Sequence, residues 1–182
     1  TSVAILKHNN ACGMASRPTV KEAWDAALAG DPVSAYGGIV VINKPIDKAV
    51  AEAIHQIFFE VIIAPDYTKE ALDILFQKKN RIILKQKSIE TNKTPWLYRS
   101  ALNGILAQEK NESVQSVNDL KTVTKTAPTA RETDDLIFAN KLVKHTKSNA
   151  IVLVKNKQLV ASGTGQTSRV DALKQAIEKA GI

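Results

Sequence analysis

The chain has 182 residues, 44% of them hydrophobic, enough to bury one sizeable core or two small ones tightly joined. A single cysteine, Cys12, excludes an internal disulfide and a cysteine-cluster metal site, and three histidines form no ligand-rich tract, so no metal is expected in catalysis and a reducing, cytoplasmic setting fits. No run approaches the roughly 20 apolar residues of a membrane span, and the net charge of +7 favours acidic partners: nucleic acid, a phosphorylated metabolite or a polycarboxylate cofactor.

The sequence opens on Thr1-Ser2 directly before Val3-Ala4-Ile5-Leu6, a short strand, and stops at Gly181-Ile182 just as a helix finishes; it reads as an excised piece of a longer chain. Asn9-Asn10-Ala11-Cys12-Gly13 is rich in turn formers, and Thr19 with Glu22 has capping-box spacing. Val20, Ala23, Trp24, Ala27 and Leu28 then share one helical face, stopped by Gly30-Asp31-Pro32. Gly38 to Ile42 is continuously apolar and β-branched, the pattern of a strand covered on both sides. Asp47 caps a helix that presents Val50, Ile54 and Phe58 inward, and Val61-Ile62-Ile63 is a second buried strand. Thr68 starts a third helix, and Arg81 to Leu84 is a further strand. This alternation predicts an α/β fold with a parallel or mixed sheet.

Gln86 to Trp96 and Lys110 to Ala130 are polar and read as connections, with a hairpin or bulge at Asn103-Gly104 between them. A long helix is expected from about Glu132 to Thr146, acidic at its start and basic at its end as the helix dipole prefers. Ala150 to Val154 is another buried strand and Ser168 to Ala180 another helix. A strand, a small-residue turn, Ser-Arg and a helix thus occur twice, around Ser16-Arg17 and Ser168-Arg169; duplication of one unit explains the echo, and so does shared turn chemistry.

Lys7-His8 stands at the carboxyl end of the first strand, where open α/β sheets bind ligands. Successive strand residues point to opposite faces, so both side chains reach one pocket only if the chain turns there. Taken alone, the pair also reads as a solvated strand end. Gly163 to Arg169 is a glycine-rich turn opening a helix, able to hold an anion on backbone N–H groups and a guanidinium, or simply a tight turn with a surface arginine. It matches neither the Walker nor the dinucleotide fingerprint. Ser148-Asn149 lies between a helix and a buried strand, and Ser34-Ala35-Tyr36-Gly37-Gly38 would let a ligand approach the backbone or would merely lead into a strand. Glu60 suits an amino group or plain solvent. His55 and His145 are read as structural or surface residues, and Lys78-Lys79-Asn80-Arg81 to Lys87 as a solvated basic face or a phosphate attractor.

Taken together, Leu6-Lys7-His8-Asn9-Asn10, Asp31 to Gly38, Glu60 to Pro65, Lys144 to Ala150 and Gly163 to Asp171 resemble, over nearly the whole chain, the formyltransferase region of the bifunctional AICAR formyltransferase/IMP cyclohydrolase family of purine biosynthesis. The resemblance implies Lys7 and His8 as the catalytic pair in moving a formyl group from 10-formyltetrahydrofolate to AICAR. It implies Tyr36, Gly37, Glu60, Asn149 and Arg169 as AICAR contacts and Val170 beside the folate co-substrate. It further implies duplicated cytidine-deaminase-like α/β/α units with mixed sheets, one over residues 1–85 and the start of a second over 131–182, joined by 86–130. The zinc ligands of the deaminases are absent. Ala11 stands where the family commonly has proline, and Tyr36 where phenylalanine is frequent. The remaining implications are a cytoplasmic homodimer sharing its sites, with no nucleic-acid or membrane partner, a cyclohydrolase activity carried elsewhere in the parent, and no activity for this piece alone.

Two readings from other classes compete. A basic RNA- or nucleotide-binding module would explain the charge, although 5% aromatic content leaves few stacking platforms. A dimerisation piece without catalysis would keep an interface and lose the chemistry.

Overall fold

The computed structural model describes residues 1–88 and 94–182. Strands β1 (Ser2–Lys7) and β2 (Asn10–Ser16) form an antiparallel hairpin closed by His8 and Asn9, both in the left-handed region at φ 49° and 65°. Two such residues in succession give the turn whose twist matches a hairpin, and histidine and asparagine are among the few non-glycine residues that adopt it readily. The stretch expected as turn from Asn9 to Gly13 is therefore mostly strand. Its small residues hide the strand signal because a helix lies close over them: a Cβ on Gly13 would sit 2.1 Å from the Ala27 carbonyl oxygen. Cys12 is the extra residue where the register shifts, and its thiol donates to the Ile5 carbonyl oxygen at 3.3 Å.

Helix α1 (Val20–Gly30) starts at the Thr19–Glu22 capping box and buries Ala23, Trp24 and Ala27. The single-turn α2 (Pro32–Ala35) is capped by Asp31 and leads into β3 (Gly38–Ile42). Helix α3 (Lys48–His55), β4 (Phe59–Ala64), α4 (Lys69–Leu75) and β5 (Ile82–Lys85) follow, with Asp47 and Thr68 as helix caps. These strands make one sheet in the order β2-β1-β3-β4-β5, parallel from β3 to β5 and antiparallel from β3 through β1 to β2. The expected mixed α/β architecture is borne out.

The core lies on the face toward α1, α3 and α4, where Val3, Ile5, Trp24, Val40, Ile42, Ile54, Phe59, Ile62 and Leu75 are fully or almost fully buried. Burying each aliphatic or phenyl side chain contributes about 1.5–3 kcal/mol. The alternate residues of β3 are less covered: Val41 is half-buried and Ile39, like Ile82 and Leu84 on β5, is exposed. The expectation of a strand buried on both faces fails because the helices of the first 85 residues pack into a single core on one side. Phe58 also departs from expectation, since α3 ends at His55 and the ring is exposed.

Strands β6 (Trp96–Ala101) and β7 (Gly104–Glu109) form the expected hairpin, turning at Leu102-Asn103 and exposed along most of its length. The connection expected from Gln86 to Trp96 lies partly outside the described residues. Helix α5 (Ala130–Lys144) begins two residues ahead of the expected start and is capped by Thr129. Strand β8 (Ile151–Val154) pairs with β9 (Leu159–Gly163), a strand the sequence conceals in Ala161-Ser162-Gly163, and α6 (Arg169–Ala180) begins at its Ser168 cap. This second hairpin turns at Asn156 and Lys157, φ 56° and 52°, as the first does at His8 and Asn9. It docks on the β2 edge through the Ala15–Gln158 bridge and the Arg17 guanidinium, which donates to the Asn156 carbonyl oxygen at 2.6 Å and to Gln158 Oε1 at 2.8 Å. Among the described residues no helix is long and apolar enough to cross a membrane.

Candidate active site

The β1–β2 turn fixes where Lys7 and His8 stand. Lys7 ends β1 opposite Asn10, and His8 is the first residue of the turn, so the chain reverses at the pair and both residues lie at the same end of the sheet. Because β1 runs antiparallel to β3, this end is the amino end of β3 and β4. The carboxyl-end rule thus holds for β1 and is reversed for β3 and β4, which run parallel to each other.

Lys7 Nζ donates to the Tyr36 carbonyl oxygen. Gly37 follows at φ +70°, a conformation that glycine adopts without penalty, and a Cβ there would stand 3.3 Å from Lys7 Nζ. The Gly37 N–H donates to the Phe58 carbonyl oxygen at 2.9 Å, and the Phe58 ring packs on Tyr36 with centroids 5.3 Å apart. Glu60 is two residues on. Gly38 pairs with Phe59 and Ile39 with Val61, which leaves Glu60 as the extra residue of a bulge with an exposed side chain. Bulges re-aim side chains in this way beside functional sites. Lys7, Tyr36, Gly37 and Glu60 therefore gather at one end of the sheet.

Asn149 and Arg169 belong to a second group that the hairpin reaches through Asn10. Asn10 Oδ1 accepts the Lys147 N–H at 3.0 Å, and the Lys147 carbonyl oxygen accepts the Gly165 N–H at 2.8 Å. The Ser148–Asn149 peptide is cis. Asn149 Nδ2 donates to the carbonyl oxygens of Gln166 and Thr167 at 3.1 and 3.0 Å, which occupies both amide hydrogens and leaves Oδ1 to meet another group. Arg169 and Val170 are the first two residues of α6 and both are exposed, and among the described residues the Arg169 guanidinium makes no hydrogen bond or ion pair. Among the described residues no hydrogen bond or ion pair joins Arg169 or Val170 to Lys7.

The site residues thus fall into two groups, a half-buried Lys7 with His8, Glu60 and the Tyr36–Gly37 loop at one end of the sheet, and Asn149 with Arg169 at the start of α6. A family model described as AICARFT/IMPCHase bienzyme matches residues 1–179. The chain belongs to this family. Among curated relatives, the bifunctional purine biosynthesis protein PurH of Bacteroides thetaiotaomicron is 67% identical over 177 residues, 97% of this chain and 34% of that protein. The PurH proteins of Persephonella marina and Chlorobium phaeobacteroides are 46% and 47% identical, over 99% and 98% of this chain and 35% and 34% of theirs. The chain spans about a third of the length of these family members.

Three residues make contacts that the sequence does not announce: Phe58 against Tyr36, Asn10 to Lys147, and Arg81 to His55 and Ile57. Phe58 sits four residues after Ile54 and so mimics the inward face of α3. Asn10 looks like one more turn residue. Arg81 sits in a run of lysines that reads as solvated, yet it is buried against Phe59 with its guanidinium carbon 4.1 Å from the ring centroid. Only the segment's place in three dimensions separates it from its neighbours.

Proposed function

We propose that the chain supplies the catalytic pair and much of the nucleotide site of an AICAR formyltransferase, within a bifunctional cytoplasmic protein that also carries IMP cyclohydrolase activity. The single observation that carries the reading is the His8-Asn9 turn, which sets Lys7 against the Tyr36–Gly37 loop in a chain matched to the family from end to end.

In the reaction, the 5-amino nitrogen of AICAR attacks the formyl carbon of 10-formyltetrahydrofolate. The amine is a weak nucleophile because its lone pair is delocalised into the imidazole carboxamide. His8 accepts the amine proton as the new C–N bond forms, a role suited to an imidazole. The Lys7 ammonium stabilises the oxyanion of the tetrahedral intermediate and gives a proton to the folate nitrogen as its bond to carbon breaks. Glu60, Tyr36 and Gly37 hold AICAR on one side, Asn149 Oδ1 accepts from one of its N–H groups, and the free Arg169 fork takes its anionic part. Val170, apolar and exposed, suits the folate ring.

The two hairpin-and-helix arrangements, β1-β2-α1 and β8-β9-α6, are read as the openings of duplicated deaminase-like units, over 1–85 and 131–182 with 86–130 between. The active form is a homodimer. Titration of AICAR into a full-length family protein carrying this chain tests the site. Glu60→Gln and Arg169→Ala should each weaken binding by about ten- to a hundredfold, as expected for lost hydrogen bonds to charged groups. Wild-type affinity in both variants would contradict the assignment.

A further inference from the structure

Arg81 is the one buried charged side chain among the described residues, 8% exposed, and no carboxylate forms an ion pair with it. A cation in that position is costly unless its hydrogen bonds are made. Nη1 lies 2.9 Å from His55 Nδ1 and Nη2 donates to the Ile57 carbonyl oxygen at 3.3 Å, while the plane covers the Phe59 ring. Nε is buried with no partner. A side chain kept for stability alone would be replaced at little cost by an apolar one of similar length, so this arrangement calls for another account.

That account lies in what the three contacts hold. They grip the end of α3, the turn after it and the first residue of β4 from behind. The same segment supports the site from the front: the Phe58 carbonyl oxygen receives the Gly37 N–H, the Phe58 ring packs on Tyr36, and Glu60 follows Phe59 in the bulge. We propose that Arg81 is a positioning residue of the nucleotide site, acting through Ile57–Phe59 to fix the Glu60 carboxylate and the Tyr36–Gly37 loop. It touches neither substrate nor the reacting atoms. The inference rests on the reading of that loop and Glu60 as AICAR contacts.

Steady-state kinetics of a full-length family protein carrying this chain separates this role from a merely structural one. Arg81→Met keeps the stem and removes the guanidinium; it should raise the KM for AICAR by about tenfold or more, the scale of a misplaced binding group, with kcat little changed. Arg81→Lys keeps a cation by Phe59 and serves as the second variant; it should restore part of the affinity. Combined with Glu60→Gln, Arg81→Lys should add less than it does alone, because both act on one contact. Folded Arg81 variants with wild-type KM, a fall in kcat at unchanged KM, or strict additivity with Glu60→Gln would each overturn the proposal while leaving the functional reading standing. A wild-type protein that binds no AICAR would overturn both.

Discussion

Gly163 on β9 faces α6 so closely that a Cβ there would stand 1.9 Å from the Ala172 carbonyl oxygen, and a rigid backbone atom, not a flexible side chain, is what it meets. Replacing it with alanine must push strand and helix apart. Gly163→Ala should therefore lower stability by about 1–3 kcal/mol, the usual cost of overpacking, read as a lower denaturant midpoint. An unchanged midpoint would show that the two elements do not meet as described. In the sequence this glycine reads as part of an anion-holding or tight turn, and Gly13 as part of a turn-rich stretch, with no sign of the helices they meet. A close approach between segments distant along the chain leaves no local mark. Lys7, His8, Glu60 and Arg169, by contrast, are visible in the sequence as chemistry-bearing types at element ends, although none is decisive alone.

At the end of α3, His55 meets Arg81 from the start of β5 and Lys78 from the turn before it. Burial first, then the charges of Arg81 and Lys78, hold the imidazole below its ordinary 6.5. The unfolded chain therefore binds a proton below about 6.5 that the folded chain refuses, and stability falls with pH from there down to the lower folded value. Above that window the full contribution is present. Denaturant melts of the wild type between about pH 7 and pH 5 should show this loss, and His55→Gln should reduce it. Equal acid loss in both proteins would contradict the linkage. The capped helices are the elements best foretold, because a cap and an apolar stripe are local signals: Thr19, Asp47, Thr68 and Ser168 open their helices as the sequence suggests, while the Thr129 cap of α5 lies in a stretch expected as a connection. Strands β2 and β9 were concealed, since alanine, cysteine, serine and glycine pack there beneath a helix in place of branched side chains.

Across the whole molecule, the antiparallel step from β3 to β1 is what brings a strand's carboxyl end, carrying Lys7, beside the amino ends of β3 and β4, carrying Gly37, Gly38 and Glu60. Element order in the sequence gives alternating strands and helices but not strand direction, so the mixed sheet was foreseeable and the side on which its site opens was not. The same topology leaves Ile39, Ile82 and Leu84 exposed on the face opposite the core. The second hairpin, docked on β2, brings the Asn149 loop and Arg169 toward the first turn by way of Asn10 and Lys147. The most direct test is the rate of formyl transfer from 10-formyltetrahydrofolate to AICAR by a full-length family protein carrying Lys7→Ala or His8→Ala. Each variant should bind AICAR but turn over slower by on the order of 100- to 1,000-fold. Near-normal turnover in both would contradict the assignment of Lys7 and His8 as the catalytic pair.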